Sequence, residues 1–118
     1  MRAIEAINQA DRLRPNAYSA EEKLRWLERI DRRVGREILE AYAEAETAEV
    51  PMGPETELLV PSPYEELYLH FLCAQMSLGD GEIESFNSFI ALFEALFSRF
   101  RNTWNREHLP KSASKRYG

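Results

Sequence analysis

The sequence predicts an all-α protein, a small bundle of about four helices with a long proline-containing loop between the second and third helices. Apolar residues recur at spacings of three and four through most of the chain. Ser19 and Ser62 each begin a Ser-x-x-Glu capping box. Prolines between residues 51 and 61 forbid a continuous helix there. A chain of 118 residues suits one domain, predicted over residues 1–109, followed by a flexible basic tail over residues 110–118.

The first two predicted helices are amphipathic. Residues 2–13 form a short helix that ends before Pro15, since the residue before a proline disfavours helical backbone. Its apolar residues are Ile4, Ile7 and Leu13. Ser19 and Glu22 start the second helix, which runs from about residue 20 to residue 46. Its apolar residues are Leu24, Leu27, Ile30, Val34, Ile38 and Tyr42, while Gly35 weakens its middle.

The segment from residue 47 to residue 62 is a long loop. Loops of this length are uncommon in compact domains and tend to be functional or disordered. Its apolar residues Leu58, Leu59 and Val60 are therefore candidate contacts for a partner. In the alternative interpretation, the loop lays Leu58 and Val60 on the core of its own chain. The sequence favours neither interpretation over the other.

The third helix is predicted to begin at the Ser62, Pro63 and Glu65 capping box, with proline at the first helical position, and to continue to Leu78. It is apolar on almost all sides, which is typical of a buried central helix. Residues 79–81, Gly-Asp-Gly, end it.

The last predicted helix, residues 82–106, has two faces that could pack. Its apolar face is formed by Ile83, Phe86, Phe89, Ile90, Leu92, Phe93, Leu96, Phe97, Phe100 and Trp104. These residues cover about half of the circumference, more than the stripe of roughly 100° typical of a surface helix. The opposite face carries the small residues Ser88, Ala91, Ala95 and Ser98. Because one short chain has limited means of covering both faces, we expect self-assembly, with these four small residues as a candidate subunit interface.

The charges argue against a protein whose main task is to bind nucleic acid. The net charge is −5 and the isoelectric point is near 5.1, whereas a phosphate backbone is bound by cationic surfaces. The second helix nevertheless has a basic side formed by Arg25, Arg29, Arg32, Arg33 and Arg36. Interleaved acidic residues, Glu28, Asp31, Glu37 and Glu40, favour a salt-bridged solvent or subunit face, with Arg29, Arg33 and Arg36 as candidate interface residues. The alternative is a dimeric helical DNA-binding regulatory protein.

The two ends of the charge distribution also differ. Arg99, Arg101 and Arg106 precede the basic tail, in which Lys111, Lys115 and Arg116 are candidate partner contacts. Acidic residues collect near the central loop, at Glu44, Glu46, Glu49, Glu55 and Glu57. Such polarity would suit head-to-tail contact between identical subunits.

No residue pattern indicates an enzyme. Glu66 and His70 share one helical face, but nothing completes a metal site, and a neutral His70 hydrogen-bonded within the bundle is expected. Asp80, Gly81 and Ile83 match only the middle of a calcium loop, because Met76, Leu78 and Asn87 stand where further oxygen ligands are required. The single Cys73 is interpreted as a small buried apolar residue. No catalytic, metal-binding or cofactor-binding residue is therefore predicted. The charged first residues exclude a signal peptide, and no apolar run is long enough for a membrane span.

Two stretches, RPNAYSAEEKLRWLERIDRRV and LLVPSPYEELYLHFLCAQMSLGDGEIESFNSFIALFEALFSRF, carry a likeness that covers roughly residues 3–105. In element order and in these motifs the chain resembles the small head-tail connector (adaptor) proteins of long-tailed bacteriophages and prophages. The positions that carry the likeness are Arg14, Pro15, Asn16, Trp26, Leu27, residues 58–64, Tyr68, Ala74, Gln75, residues 86–88, Phe93 and Phe97.

The resemblance implies an all-helical subunit that forms a homo-oligomeric ring of twelve copies. Such a ring docks below the portal protein and contacts neck or tail-completion proteins, and DNA passes through its lumen without specific binding. The implied location is the virion, with assembly in the host bacterial cytoplasm. The loop from residue 51 to residue 61 and the tail from Lys111 to Arg116 would reach the neighbouring rings.

Overall fold

The computed structural model describes residues 1–39 and 51–108, and these residues form a small all-α bundle, as predicted. Its helices are α1, Ala3–Leu13; α2, Ala20–Val34; α3, Leu67–Gly79; and α4, Ile83–Glu107. A π-helical turn, Gly35–Leu39, continues α2. Within the described ranges, extended pairing is limited to an isolated bridge between Arg2 and Glu57. Residues 40–46 of the predicted second helix and the predicted tail lie outside the described residues.

Helix α3 is the centre of the bundle, as its apolar sequence predicted. Helices α1, α2 and α4 all pack against it. Its buried apolar residues are Leu67, Tyr68, Leu69, Phe71, Leu72, Cys73, Ala74 and Met76. Complete burial of one large apolar side chain contributes roughly 1.5–3 kcal/mol, so α3 strongly favours any arrangement that covers it on every side.

Helix α1 approaches α3 closely through its alanines. Ala3, Ala6 and Ala10 are completely buried, and the Cys73 thiol lies 3.9 Å from the Ala10 carbonyl oxygen. Leu13 was predicted on this apolar face, but its side chain is 59% exposed. Leu13 lies six residues after the buried Ile7, which is about 240° round the helix, and it therefore does not share the buried side of α1.

The predicted start of α2 is confirmed. The Ser19 side-chain oxygen accepts a hydrogen bond from the Glu22 backbone N–H at 3.1 Å. The buried face of this segment consists of Leu27, Ile30, Val34 and Ile38. The helical hydrogen bonding widens to the π form at the glycine that was expected to weaken the helix.

The predicted start of the third helix was four residues too early. Residues 62–66 form turns, the Ser62–Pro63 peptide bond is cis, and regular helix begins at Leu67. The Ser62 hydroxyl contacts the Glu65 carboxylate at 3.4 Å and does not cap a backbone N–H. Tyr64 ties this turn to α4 instead, since its hydroxyl lies 3.1 Å from the Thr103 hydroxyl.

A polar cluster joins the α1–α2 connection to the α3–α4 turn. The Arg14 guanidinium donates to Ser77 Oγ at 3.2 Å, to Asp80 Oδ2 at 2.9 Å and to Glu82 Oε1 at 2.7 Å. The Tyr18 hydroxyl donates to Asp80 Oδ1 at 2.7 Å. The hydrogen bonds from Tyr18 and Arg14 lower the pKa of Asp80. The cluster therefore fixes the turn from which α4 begins, and Asp80 serves an ion pair within the chain.

We expect Phe93→Ala to lower the free energy of unfolding by about 3–5 kcal/mol, because Phe93 is 1% exposed and its removal leaves a cavity beside α3. Urea unfolding of the monomer, followed by circular dichroism, measures this change. Leu92→Ala is the matched control. Since Leu92 lies on the same helix and is 49% exposed, its replacement should change stability by no more than about 0.5 kcal/mol. Equal losses in the two variants would contradict the assigned core.

Candidate subunit interface

Helix α4 is anchored by three aromatic residues on one side. Phe93, Phe97 and Phe100 are buried, and the Phe93 ring lies 5.4 Å from the rings of both Phe71 and Phe97, between centroids. Phe86, Ile90 and Trp104 of the predicted apolar face are half-buried. Ile83 is 56% exposed, because it lies about 80° round the helix from Phe93. The predicted apolar face is thus confirmed where Phe93, Phe97 and Phe100 are buried, whereas its other residues are only partly covered within one chain.

The described residues leave most of the opposite side of α4 uncovered. Ser88, Ala91 and Ala95 are exposed, and Ser98 is half-buried. Ser88 donates its hydroxyl hydrogen bond within the helix, to the Glu84 carbonyl oxygen at 3.1 Å. This small-residue face, Ser88, Ala91, Ala95 and Ser98, lies opposite the buried aromatic residues, where a second helix could pack without rearrangement of the core.

Apolar side chains flank the small-residue face. Leu92 is about half exposed, while Phe89 and Leu96 are half-buried. Single exposed apolar residues are ordinary in soluble proteins, but here they adjoin one another on a helix of 25 residues. Helix α4 therefore presents an apolar edge beside a small-residue face against which another helix could pack closely.

Arg33, a predicted interface residue, makes contacts within its own chain. Its guanidinium carbon lies 4.5 Å from the centroid of the Phe97 ring, and its Nε donates to Glu37 Oε2 at 2.9 Å. Arg33 therefore covers the α4 aromatic residues from within the same chain. Arg29 and Arg36, the other two predicted interface arginines of α2 and its π-helical turn, are exposed.

Of the four acidic residues expected to dilute the basic side of α2, two interact elsewhere, and Glu40 lies outside the described residues. Asp31 is buried, at 4% exposure, and Glu37 is paired with Arg33. Glu28 remains beside the arginines, where it pairs with Arg32 at 3.5 Å and accepts a hydrogen bond from the Met52 backbone N–H. Among the described residues, the exposed side of α2 therefore has a larger excess of arginines over carboxylates than the sequence suggested.

The loop residues predicted as partner contacts are mostly part of the core. Val60 is completely buried and Leu58 is 6% exposed, which corrects their assignment as contact residues and confirms the alternative interpretation. Leu59 is half-exposed. The loop is held in place at the start of α1, where the carbonyl oxygens of Thr56 and Pro54 accept from the first helical N–H groups, each at 2.9 Å. These bonds satisfy donors that a helix start leaves unpaired.

A buried hydrogen-bond network holds the loop against α2 and α3. Asp31 Oδ1 accepts from the Tyr68 hydroxyl at 2.5 Å and from the Leu59 N–H at 3.0 Å. The Tyr68 oxygen in turn accepts from the Val60 N–H at 2.9 Å. Burial raises the pKa of Asp31, and the hydrogen bonds from Tyr68 and Leu59 oppose this rise. Burial and the neighbouring Asp31 also raise the pKa of Tyr68, so its hydroxyl keeps its proton.

Burial shifts the pKa of two side chains that were considered for chemistry, His70 and Cys73. His70 Nδ1 is buried and has no hydrogen-bond partner in the described part of the chain, contrary to the expected hydrogen bond, and burial lowers the pKa of His70. Burial raises the pKa of Cys73 to about 11, so its thiol is unreactive near neutral pH. Among residues 1–39 and 51–108, no group of histidine, cysteine and carboxylate side chains could hold a metal ion.

Comparisons with protein-family models, with curated proteins and with solved structures find no match for this chain. No helix within the described ranges is both long enough and apolar enough to span a membrane. The tail residues Lys111, Lys115 and Arg116, predicted as partner contacts, lie outside the described residues.

We expect Asp31→Asn to change how stability depends on pH. The folded pKa of Asp31 is raised, so its contribution to stability is complete below the unfolded value near 3.8 and is lost as pH rises through the folded pKa. Relative to the asparagine variant, the wild-type free energy of unfolding should therefore fall as the pH increases above 3.8. Urea unfolding across a pH series measures this. The exposed variant Glu84→Gln serves as the control, and a pH dependence unchanged by Asp31→Asn would show that the Asp31 pKa is not raised.

Proposed function

We propose that this protein is a structural subunit of a bacteriophage virion, a head-tail connector adaptor that forms a ring below the portal. The observation that carries the proposal is the incomplete covering of α4. A helix of 25 residues buries only Phe93, Phe97 and Phe100 completely, and it leaves its small-residue face exposed. Packing of α4 against a neighbouring copy would bury what one chain leaves in water. The likeness of residues 3–105 to adaptor proteins supports the same function.

The positions of the candidate surfaces favour a ring over a two-fold dimer. The exposed arginines lie on α2, whereas the small-residue face lies on α4. Contact between two different surfaces is head-to-tail, and such contacts generate a closed ring when the rotation between copies closes. A two-fold dimer would instead require the two surfaces to contact each other reciprocally within one self-complementary interface. We therefore expect identical copies in a cyclic arrangement, with portal and neck or tail-completion proteins as the further partners.

The net charge of −5 is compatible with a conduit through which DNA passes. A negative surface does not retain phosphate groups, so the passenger would meet no strong binding site along the lumen. The same charge weakens the second candidate function, a dimeric DNA-binding regulator, which rests on the basic side of α2. That candidate requires duplex affinity with a steep dependence on salt.

Native mass spectrometry of the purified protein, alone and with the portal protein of the same virus, tests the proposal. We expect a single cyclic complex of many copies when the portal protein is present. This expectation holds whether the protein alone is a monomer or already assembled. Negative-stain images of that complex should show a ring. A dimer that persists unchanged when portal is added would contradict the proposal, and salt-sensitive binding of duplex DNA by that dimer would support the regulator.

We expect Ala95→Trp to block assembly and to leave the isolated fold intact. Ala95 is exposed on the small-residue face, so a large side chain fits in the monomer but separates two packed helices. Thermal unfolding measures the fold, and native mass measures assembly. Arg12→Trp, an exposed position on α1, is the control and should assemble normally. A ring formed by Ala95→Trp would refute the interface assigned to this face.

A further inference from the structure

We propose that the arginine ridge of one copy, Arg25, Arg29, Arg32 and Arg36, binds the carboxylates of Glu84 and Glu94 on α4 of the next copy. The inference rests on the proposed self-assembly and specifies which surfaces meet. The arginines lie on the side of α2 that does not pack within the bundle, and this side would bind the negatively charged partner surface.

The ridge is a continuous feature of one helix side. Its members are separated by four, three and four residues, so they lie within roughly 60° of one another round the helix. From the first to the last arginine the ridge extends about 16 Å. The arginines line a shallow groove together with a single acidic residue, Glu28.

The positive charge of the ridge is only partly compensated within the chain. Arg32 pairs with Glu28 at 3.5 Å, and Arg29 makes a long hydrogen bond of 3.4 Å to the neutral Gln75 side chain. Neither Arg25 nor Arg36 has a hydrogen-bond or ion-pair partner among residues 1–39 and 51–108. Four cations thus face one anion in this groove, and the surplus suits an anionic partner surface.

Helix α4 presents carboxylates at a matching separation. Glu84 and Glu94 are exposed, and no arginine or lysine of the described residues pairs with either of them. They are ten residues apart, about 15 Å along the helix, which is close to the length of the ridge. Between them lie Ser88 and Ala91, whose short side chains leave room for long arginine side chains to cross the helix.

The two surfaces cannot meet within one molecule. Helix α4 packs on α3 and the π-helical turn through its aromatic side, and that side lies opposite the small-residue face. The carboxylates must therefore come from another copy. A nucleic acid is the less suitable anion for the ridge, because the net charge of −5 repels a phosphate backbone at long range.

Charge exchange between the two surfaces tests the inference. One variant carries Arg25→Glu and Arg29→Glu, and the other carries Glu84→Arg and Glu94→Arg. Alone, each variant brings like charges together, and its assembled fraction with portal should fall at least about tenfold. An equimolar mixture restores opposite charges at every contact and should assemble as the wild type does. Arg12→Glu, a substitution at an exposed position of α1 outside the ridge, should leave the assembled fraction unchanged.

The outcomes separate this inference from the proposed function. Normal assembly of both charge variants would overturn the ridge contact and leave the adaptor proposal intact. Loss of assembly without recovery in the mixture would overturn the assignment of Glu84 and Glu94 as the partner. Wild-type protein that never assembles with portal would overturn the function itself. Wild-type binding to a short DNA duplex, abolished by the ridge substitutions, would assign the ridge to nucleic acid and refute the inference.

Discussion

The structure depends on the burial of one short helix by a partner almost twice its length. Helix α3 has 13 residues and is apolar on nearly all sides, whereas α4 has 25 residues. At 1.5 Å per residue, α4 extends about 18 Å farther than α3. Helix α4 is therefore long enough to cover α3, but α3 is too short to cover the whole of α4. Elements elsewhere in the chain, Tyr64 beside Phe100 and Arg33 above Phe97, cover part of the remaining aromatic surface.

Polar interactions in the bundle position the connections more than they stabilise the helices. Arg14 and Tyr18 hold the turn before α4, and Asp31 with Tyr68 holds the loop that enters α3. A buried carboxylate without a cation is costly unless hydrogen bonds satisfy it, so removal of one partner from the second network affects the whole connection. Apart from Lys23, which is buried and pairs with Asp11 at 2.8 Å, most charged side chains of the described residues outside these networks lie at the surface. The arginine ridge of α2 and its π-helical turn is one such group, and in the proposed assembly its partly compensated charges select the neighbouring copy.

Helical periodicity predicted the amphipathic helices, because a 3.6-residue repeat is determined locally, and the apolar sequence of α3 on nearly all sides predicted its central position. The tertiary roles of individual residues were harder to predict. Asp31 was interpreted as a surface acid, although it lies four residues after Leu27 and three before Val34, on the buried stripe of α2. That spacing was the signal for its burial. The late start of α3 and the internal role of Arg33 depended on contacts with distant residues of α4, which local sequence does not specify.

The central claim is that other copies cover the small-residue face of α4, and the accessibility of Ala91→Cys tests it most directly. Cys73 is buried and its pKa is raised to about 11, so it provides an unreactive internal reference. Alkylation by iodoacetamide, followed by mass spectrometry, compares the monomer with the assembled ring. The account predicts rapid alkylation of Ala91→Cys in the monomer and strong protection in the ring. Equal alkylation rates in a ring that assembles normally would contradict it.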